Sequence, residues 1–166
     1  MRKLERNKVT FAEVRQLFDY NSETGEFIRF IGIPGASAGI VKGCIRSDGY
    51  DQISVNRKRE LTHRLVWLWV HGYLPEQIDH IDGNRLNNRI ANLREATTSQ
   101  NHGNMARPTK NTSGYKGVRQ RGKRFYASIK HNRKMLYIGT FATAEEAHIA
   151  YCEKARELFG EFFHPG

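Results

Sequence analysis

The chain has 166 residues, 39% of them hydrophobic, and its 27 Lys and Arg against 17 Asp and Glu give a formal net charge of +10. This length suits one modest domain or two small ones. The basic balance indicates a polyanionic partner, either nucleic acid or an acidic membrane surface. The longest apolar run, residues 65–70, is much shorter than the ~20 residues of a membrane span. No apolar stretch follows Met1, so neither a secretory signal peptide nor a membrane anchor is expected.

The N-terminal region, residues 1–62, is predicted to combine helix and strand. Thr10 and Glu13 form a capping-box pattern ahead of apolar residues that share one helical face. Downstream, alternating apolar residues indicate strands, and an almost wholly apolar helix is expected to be buried. In chain order, the predicted elements are a helix at 10–18, strands at 27–31 and 50–55 around a Gly-rich loop at 32–43, a polar turn at 56–59 and a helix at 63–71 that ends at Gly72.

Residues 77–104 contain the side chains that suggest catalysis. Asp79 and His80 are adjacent on a predicted strand, with Asn92 thirteen and Asn101 twenty-two positions after Asp79. A carboxylate can hold a hard divalent cation, and an imidazole with an unperturbed pKa of ~6.5 can take a proton from water. Metal-assisted phosphodiester hydrolysis requires this pair of groups. Taken singly, Asp79 and His80 are better explained as a strand-end pair and the asparagines as turn formers.

Together with their flanking residues, these positions resemble a known family. The matching words are Ile78-Asp79-His80-Ile81-Asp82-Gly83-Asn84, Asn92-Leu93-Arg94 and, upstream, Thr62-His63-Arg64-Leu65-Val66-Trp67. About 45 residues in this spacing resemble the HNH (His-Asn-His) endonucleases and, more narrowly, the phage intron-type homing endonucleases. The resemblance implies a ββα-metal fold, in which a β-hairpin and a helix surround one metal ion.

The same resemblance implies a role for each residue. Asp79 and Asn101 correspond to metal ligands, His80 to the general base, and Asn92 to the residue that orients the His80 imidazole by a hydrogen bond. Because both ligands offer oxygen, Mg²⁺ or Mn²⁺ is the expected cofactor. Some family members bind the metal through a His at the last position, so His102, next to Asn101, leaves that ligand assignment open.

The C-terminal region carries most of the positive charge. No acidic residue occurs between Glu95 and Glu145, whereas ten Lys and Arg fall in that interval. The segments Tyr115-Lys116-Gly117-Val118-Arg119, Gly139-Thr140-Phe141 and Glu145-Glu146-Ala147 resemble the plant ethylene-response-factor (AP2-type) DNA-binding domain. That resemblance implies a three-stranded antiparallel sheet packed on one helix, with its polar face in the DNA major groove. The expected DNA-binding residues are Arg119, Arg121, Arg124, Lys130 and Tyr137.

The sequence therefore predicts an α+β protein, a ββα-metal nuclease core followed by a small domain of three-stranded sheet and helix. The expected divisions are an N-terminal region at 1–62, the nuclease core at 63–105, a linker at 106–111 and the DNA-binding domain at 112–166. The predicted activity is site-selective, homing-type DNA cleavage that nicks one strand of double-stranded DNA. A monomer in the cytoplasm of a bacterial host, if the gene is phage-encoded, is expected, with an oligomer left open. A catalytically silent DNA-binding regulator and an RNA-binding protein are the alternatives.

Overall fold

The computed structural model describes residues 8–30, 32, 37–105 and 111–165, which form two compact units that divide between Glu95 and Ala96. The first unit contains two three-stranded antiparallel sheets, ordered β1-β2-β3 and β4-β5-β6, and the pair β7-β8. Its elements are α1 (Phe11–Leu17), β1 (Phe18–Asn21), β2 (Glu26–Arg29), β3 (Gly39–Ile40), β4 (Cys44–Ile45), β5 (Asp51–Val55), β6 (Lys58–Leu61), α2 (Thr62–His71), β7 (Gln77–His80), a 3₁₀ turn (Ile90–Asn92) and β8 (Leu93–Ala96).

One hydrophobic core joins the N-terminal region to the elements that follow residue 62. Helix α2 lies at its centre because it is apolar on nearly every face, and Gly72, in a left-handed conformation, ends it. The core therefore crosses the sequence boundary expected between residues 62 and 63. Its buried members are Val9, Val14, Phe18, Tyr20, Phe27, Ile53, Val55, Leu65, Val66, Trp67, Leu68, Ile78 and Leu93.

The β1-β2 hairpin supports the segment between β7 and β8. Gly25 has φ +80°, and a Cβ there would lie 2.7 Å from the Arg89 nitrogen, so a larger residue would be both strained and too close. Tyr20, on β1, donates a 2.9 Å hydrogen bond to the Asn88 carbonyl and accepts one of 2.8 Å from the Ile90 amide. Residues far upstream thus hold the loop that connects the two strands.

The second unit is an antiparallel sheet, ordered β11-β10-β9, packed with α3 and α4. Gly103 permits the close packing of α3 on α4, since a Cβ there would lie 2.7 Å from Cγ of Phe159. Buried Lys116 donates to the carbonyls of Gly103 and His164 at 2.8 and 2.6 Å, and burial lowers its pKa to about 8. The elements are α3 (Thr98–Asn104), β9 (Val118–Arg121), β10 (Arg124–His131), β11 (Lys134–Phe141), α4 (Ala144–Phe159) and a 3₁₀ turn (Gly160–Phe162).

The mixed α+β class, the capping box at Thr10 and the sheet-and-helix C-terminal architecture agree with the sequence analysis. Two local expectations were wrong. Phe18 begins β1 instead of ending α1, and the expected polar turn at 56–59 is shorter because β6 begins at Lys58. Most of the predicted linker and part of the 32–43 loop lie outside the described residues. Among the described helices, none is long and apolar enough to cross a membrane.

Candidate active site

Strand β7 carries Asp79 and His80, each only 4% exposed. Successive side chains of a strand point to opposite faces. Because Ile78, Asp79 and His80 are all buried, β7 is covered on both faces. The predicted metal ligand and the predicted base are therefore both removed from bulk water in the first unit.

The His80 ring is held by Asn88. Nε2 of His80 lies 3.2 Å from Oδ1 of Asn88, whose side chain is buried. In this geometry Nε2–H donates to the amide oxygen, so a neutral ring carries its lone pair on Nδ1. Tyr20 fixes the Asn88 backbone from the other side. This hydrogen bond selects the tautomer of His80 and the direction of its ring.

Two further rings enclose His80. His63, from α2, meets it edge-on with 5.1 Å between ring centroids, and Tyr50 contacts both, at 5.1 Å from His63 and 6.0 Å from His80. Nδ1 of His63 is buried and has no hydrogen-bond partner among the described residues. Burial chiefly, then the positive charges of His80 and Arg64, lower the pKa of His63 to about 3. His63 is thus a neutral ring at neutral pH.

Burial also lowers the pKa of His80 below its ordinary value. The hydrogen bond to Asn88 and the carboxylates of Asp82 and Asp79 act in the opposite direction, whereas Arg85 adds to the lowering. The net direction keeps His80 unprotonated at neutral pH. An imidazole in this state can accept a proton.

Asp79 forms a buried ion pair with Arg94 of β8. Nε and Nη2 of Arg94 both approach Oδ2 of Asp79, at 2.9 and 2.8 Å. The side chains are 4% and 14% exposed, respectively, so little solvent screens the pair. Arg94 therefore fixes the carboxylate and neutralises its charge.

Asn92 bonds to the loop between β7 and β8. Its Nδ2 donates to Oδ1 of Asp82 and to the Asn87 carbonyl, both at 2.9 Å, and its Oδ1 accepts from the Asp82 amide at 3.1 Å. In this structure the hydrogen bond expected from Asn92 to the His80 ring comes from Asn88. The physical reason is that Asn92 lies at the base of the loop, where its amide closes the turn.

Asn101 lies in α3, which belongs to the second unit, and its side chain is half-buried. Thr97 caps this helix in a capping box with Gln100. Within residues 8–30, 32, 37–105 and 111–165, no three His, Cys, Asp or Glu side chains cluster as metal ligands. Asp79 and Asn101, the predicted metal ligands, therefore belong to different units.

The five predicted DNA-binding residues share one face of the second unit's sheet. Directly paired residues of antiparallel strands lie on the same side, and the register pairs Arg119 with Tyr126, Arg121 with Arg124, and Tyr137 with Ser128. Ala127 and Ile129 point to the opposite, buried side. We call this exposed surface the basic face; it comprises Arg119, Arg121, Arg124, Lys130 and Tyr137.

From the sequence alone, no role in the site was assigned to Asn88, Arg94, His63 or Tyr50, although Arg94 and His63 lie in the segments that match the family. The local sequence indicates that Asn88, beside Asn87, is a turn residue. It indicates that Arg94 is a polar residue at the end of a strand. His63 could have been suspected, since it is a polar residue at the start of an otherwise apolar helix. No local signal identifies Tyr50, because its contacts come from residues far along the chain.

Comparison with known proteins identifies the segment that carries this site. The family profile described as HNH endonuclease matches residues 60–102. "Uncharacterized HNH endonuclease L560" of Acanthamoeba polyphaga mimivirus is 38% identical over 128 residues, which cover 75% of this chain and 66% of that protein. "Protein 3.8" of Escherichia phage T7 is 48% identical over 58 residues, or 34% of this chain and 48% of that protein.

A third relative, "Dehydration-responsive element-binding protein 2E" of Oryza sativa, is 54% identical over 50 residues, which cover 28% of this chain and 15% of that protein. The chain thus spans just under two thirds of the mimivirus protein and smaller shares of the other two. No solved structure matches. The profile match includes α2, β7 and β8, the elements that surround His80. Residues 60–102 are therefore an HNH endonuclease family domain with viral homologues.

Proposed function

We propose that the protein is a site-selective, homing-type DNA endonuclease that hydrolyses phosphodiester bonds with His80 as general base and nicks one strand. The observation that carries this proposal is the buried, neutral His80 ring, oriented by Asn88 and adjacent to the Asp79 carboxylate. With Nε2–H bound to Asn88, Nδ1 is the nitrogen that takes a proton from the attacking water. Because the site has one general base, we propose that it cleaves one strand in each binding event.

We propose that one hard divalent cation is the cofactor, with Asp79 and Asn101 as the ligands that the family resemblance implies. Asp79 and Asn101 offer carboxylate and amide oxygens, which Mg²⁺ and Mn²⁺ prefer. Arg94 donates to Oδ2 of Asp79 and so holds the carboxylate in place. A bound cation would supply Lewis-acid stabilisation of the charge on the leaving 3′ oxygen. Asn92 contributes indirectly, because its three hydrogen bonds hold the loop that carries Asn88.

The basic face supports DNA as the partner. Arg119, Arg121, Arg124 and Lys130 are exposed on it, and no acidic residue lies between Glu95 and Glu145 to offset their charge. An arginine side chain can donate two hydrogen bonds to a guanine edge or to a phosphate, whereas we expect Lys130 to contact a phosphate. We propose that this face binds duplex DNA. We further propose that the protein is a monomer and acts in the cytoplasm of a bacterial host, if the gene is phage-encoded.

A catalytically silent DNA-binding regulator remains the second candidate, since the basic face alone could serve it. Purified protein is incubated with long phage DNA and with Mg²⁺, Mn²⁺ or EDTA, and the products are separated on a denaturing gel. We expect discrete fragments with a divalent metal and none with EDTA. His80→Ala should lower the cleavage rate by at least about 100-fold and leave a duplex-DNA gel shift intact.

The matched control is His71→Ala, which removes an exposed imidazole from the end of α2 and should cleave like the wild type. A gel shift without fragments under any metal would establish the regulator instead. Equal cleavage by His80→Ala and the wild type would remove His80 from the mechanism. Tighter binding to RNA than to duplex DNA in a competition assay would instead identify an RNA-binding protein.

A further inference from the structure

Two hairpin tips adopt a backbone conformation that is uncommon for residues other than glycine. Among the described residues, the non-glycine residues with positive φ are Asn56 (48°), Arg57 (64°), Asn132 (47°) and Arg133 (65°). The first pair joins β5 to β6, with Val55 opposite Lys58, and the second joins β10 to β11, with His131 opposite Lys134. Two successive residues with positive φ in a two-residue loop define a type I′ turn.

The second position of each turn is unusual. Type I′ turns favour Asn followed by Gly, because Gly adopts positive φ without a steric penalty. Both tips instead read Asn-Arg-Lys, at 56–58 and 132–134. The turn between β9 and β10 does place a glycine, Gly122, at its positive φ of 61°. Arginine at the other two tips therefore costs conformational energy that glycine would not.

Neither arginine makes a contact with a described residue that would offset this conformational energy. The asparagines are anchored: Asn56 donates to Glu13 at 3.2 Å, and the Asn132 amide donates to Ser99 at 3.2 Å. Arg57 and Arg133 are exposed, and neither has a hydrogen bond, ion pair or ring contact with any described residue. A strained residue without an internal partner points to a role outside the fold.

We propose that Arg57 and Arg133 are phosphate-contact residues for duplex DNA; this inference rests on the proposed function. A guanidinium at the tip of a hairpin can reach a phosphate without displacing the strands, and its planar fork binds phosphate oxygens bidentately. Glu13, which accepts a hydrogen bond from Asn56 of the first tip, is engaged by Lys58 at 3.1 Å. Around the second tip the sequence offers no acid. Duplex DNA is favoured over other polyanions because residues 60–102 are an HNH endonuclease domain.

The test compares Arg57→Gly, Arg133→Gly and the double variant with the wild type. Binding of a labelled DNA duplex to the full chain is measured by fluorescence anisotropy in EDTA, between about 50 and 300 mM KCl. Each glycine variant should weaken binding about threefold to tenfold and reduce the slope of log Kd against log[KCl] by about one, and the double variant by about two. Glycine suits both turns, so the unfolding midpoint should stay constant or rise.

Two controls isolate the effect. Lys154→Gln removes a positive charge that is paired with Glu157 on α4, and its salt slope should match the wild type. Arg57→Lys keeps the charge and should retain most of the slope. Unchanged slopes in both glycine variants, an equal loss in Lys154→Gln, or a loss seen only with duplex RNA would overturn the proposal. So would a lower unfolding midpoint. If the wild type neither binds nor cleaves duplex DNA, the proposed function fails as well.

Discussion

The His80 site and the basic face hold their polar side chains by different means. His80, Asp79 and Asn88 are buried, and each is bonded to a partner that other elements position. On the basic face, Arg121 and Lys130 are exposed and are aligned only by strand register. A buried polar group costs several kcal/mol when its partner is removed, whereas an exposed charge costs little.

Substitutions in the two regions should therefore have different effects. A substitution at the His80 site changes folding and chemistry together, because the same hydrogen bonds serve both. A substitution on the basic face changes binding to a polyanion and leaves the fold intact. The three predictions that follow test this separation, beginning with the largest expected effect.

Arg94→Met should destabilise the protein by about 3 kcal/mol, because it removes the guanidinium that neutralises the buried Asp79 carboxylate. Urea unfolding at neutral pH measures this loss. In Asp79→Asn/Arg94→Met the buried charge is absent, so the double variant should recover part of the stability. Arg46→Met is the matched control, since its ion pair with Asp48 is nearly half exposed on both sides. Equal losses in the two single variants would show that burial of the Asp79–Arg94 pair carries no weight.

Because the His63 ring is buried, we expect the free energy of unfolding to fall in acid. Burial, with His80 and Arg64 nearby, lowers its pKa to about 3 in the folded protein, and Tyr50 also packs on its ring. Below pH ~6.5 the unfolded chain binds a proton at His63 that the folded chain does not, so stability falls as pH falls from ~6.5 toward 3. The contribution amounts to about 2 kcal/mol at pH 5.

Urea unfolding at several pH values between 5 and 7.5 measures this dependence. His63→Phe keeps a ring of similar size, removes the unpartnered Nδ1, and should show a weaker decline in acid. His80 retains a decline of the same sign, since its own pKa is also lowered. The control is His71→Phe, at an exposed position, which should follow the wild type. A decline in His63→Phe identical to that of the wild type would refute the assignment to His63.

The sequence predicted the elements more fully than the contacts among them. Helix α2, strand β7 and the capping box at Thr10 follow from local patterns of apolar and capping residues. The partner of His80 does not, because Asn87, Asn88 and Asn92 are chemically equivalent choices in one short loop. Tyr20, 68 residues upstream of Asn88, helps to select among them by fixing the loop backbone. The catalytic and DNA-binding roles of the predicted site residues stay predictions.

Patterns of residue types also underestimate how much the N-terminal region contributes to the hydrophobic core. Residues 1–62 offer no functional motif, yet Val14, Phe18 and Phe27 share the core with α2. Contacts of this kind depend on long-range packing, which periodicity alone does not encode. The basic face, by contrast, needs only strand alternation and register, so its five residues could be placed on one surface from the sequence.

Arg121→Gln should have the smallest effect on the fold and a selective effect on DNA. Arg121 is exposed and paired across the strands with Arg124, so its removal relieves like-charge repulsion and should change stability by less than about 0.5 kcal/mol. It should weaken duplex binding and reduce the salt slope by about one. In a cleavage titration, the protein concentration for half-maximal rate should rise while the rate at saturation stays that of the wild type. His80→Ala should show the reverse pattern, with a lower saturated rate and unchanged binding. If Arg121→Gln lowered the saturated rate as strongly as it weakened binding, the basic face would take part in the chemical step, and the separation of the two regions would fail.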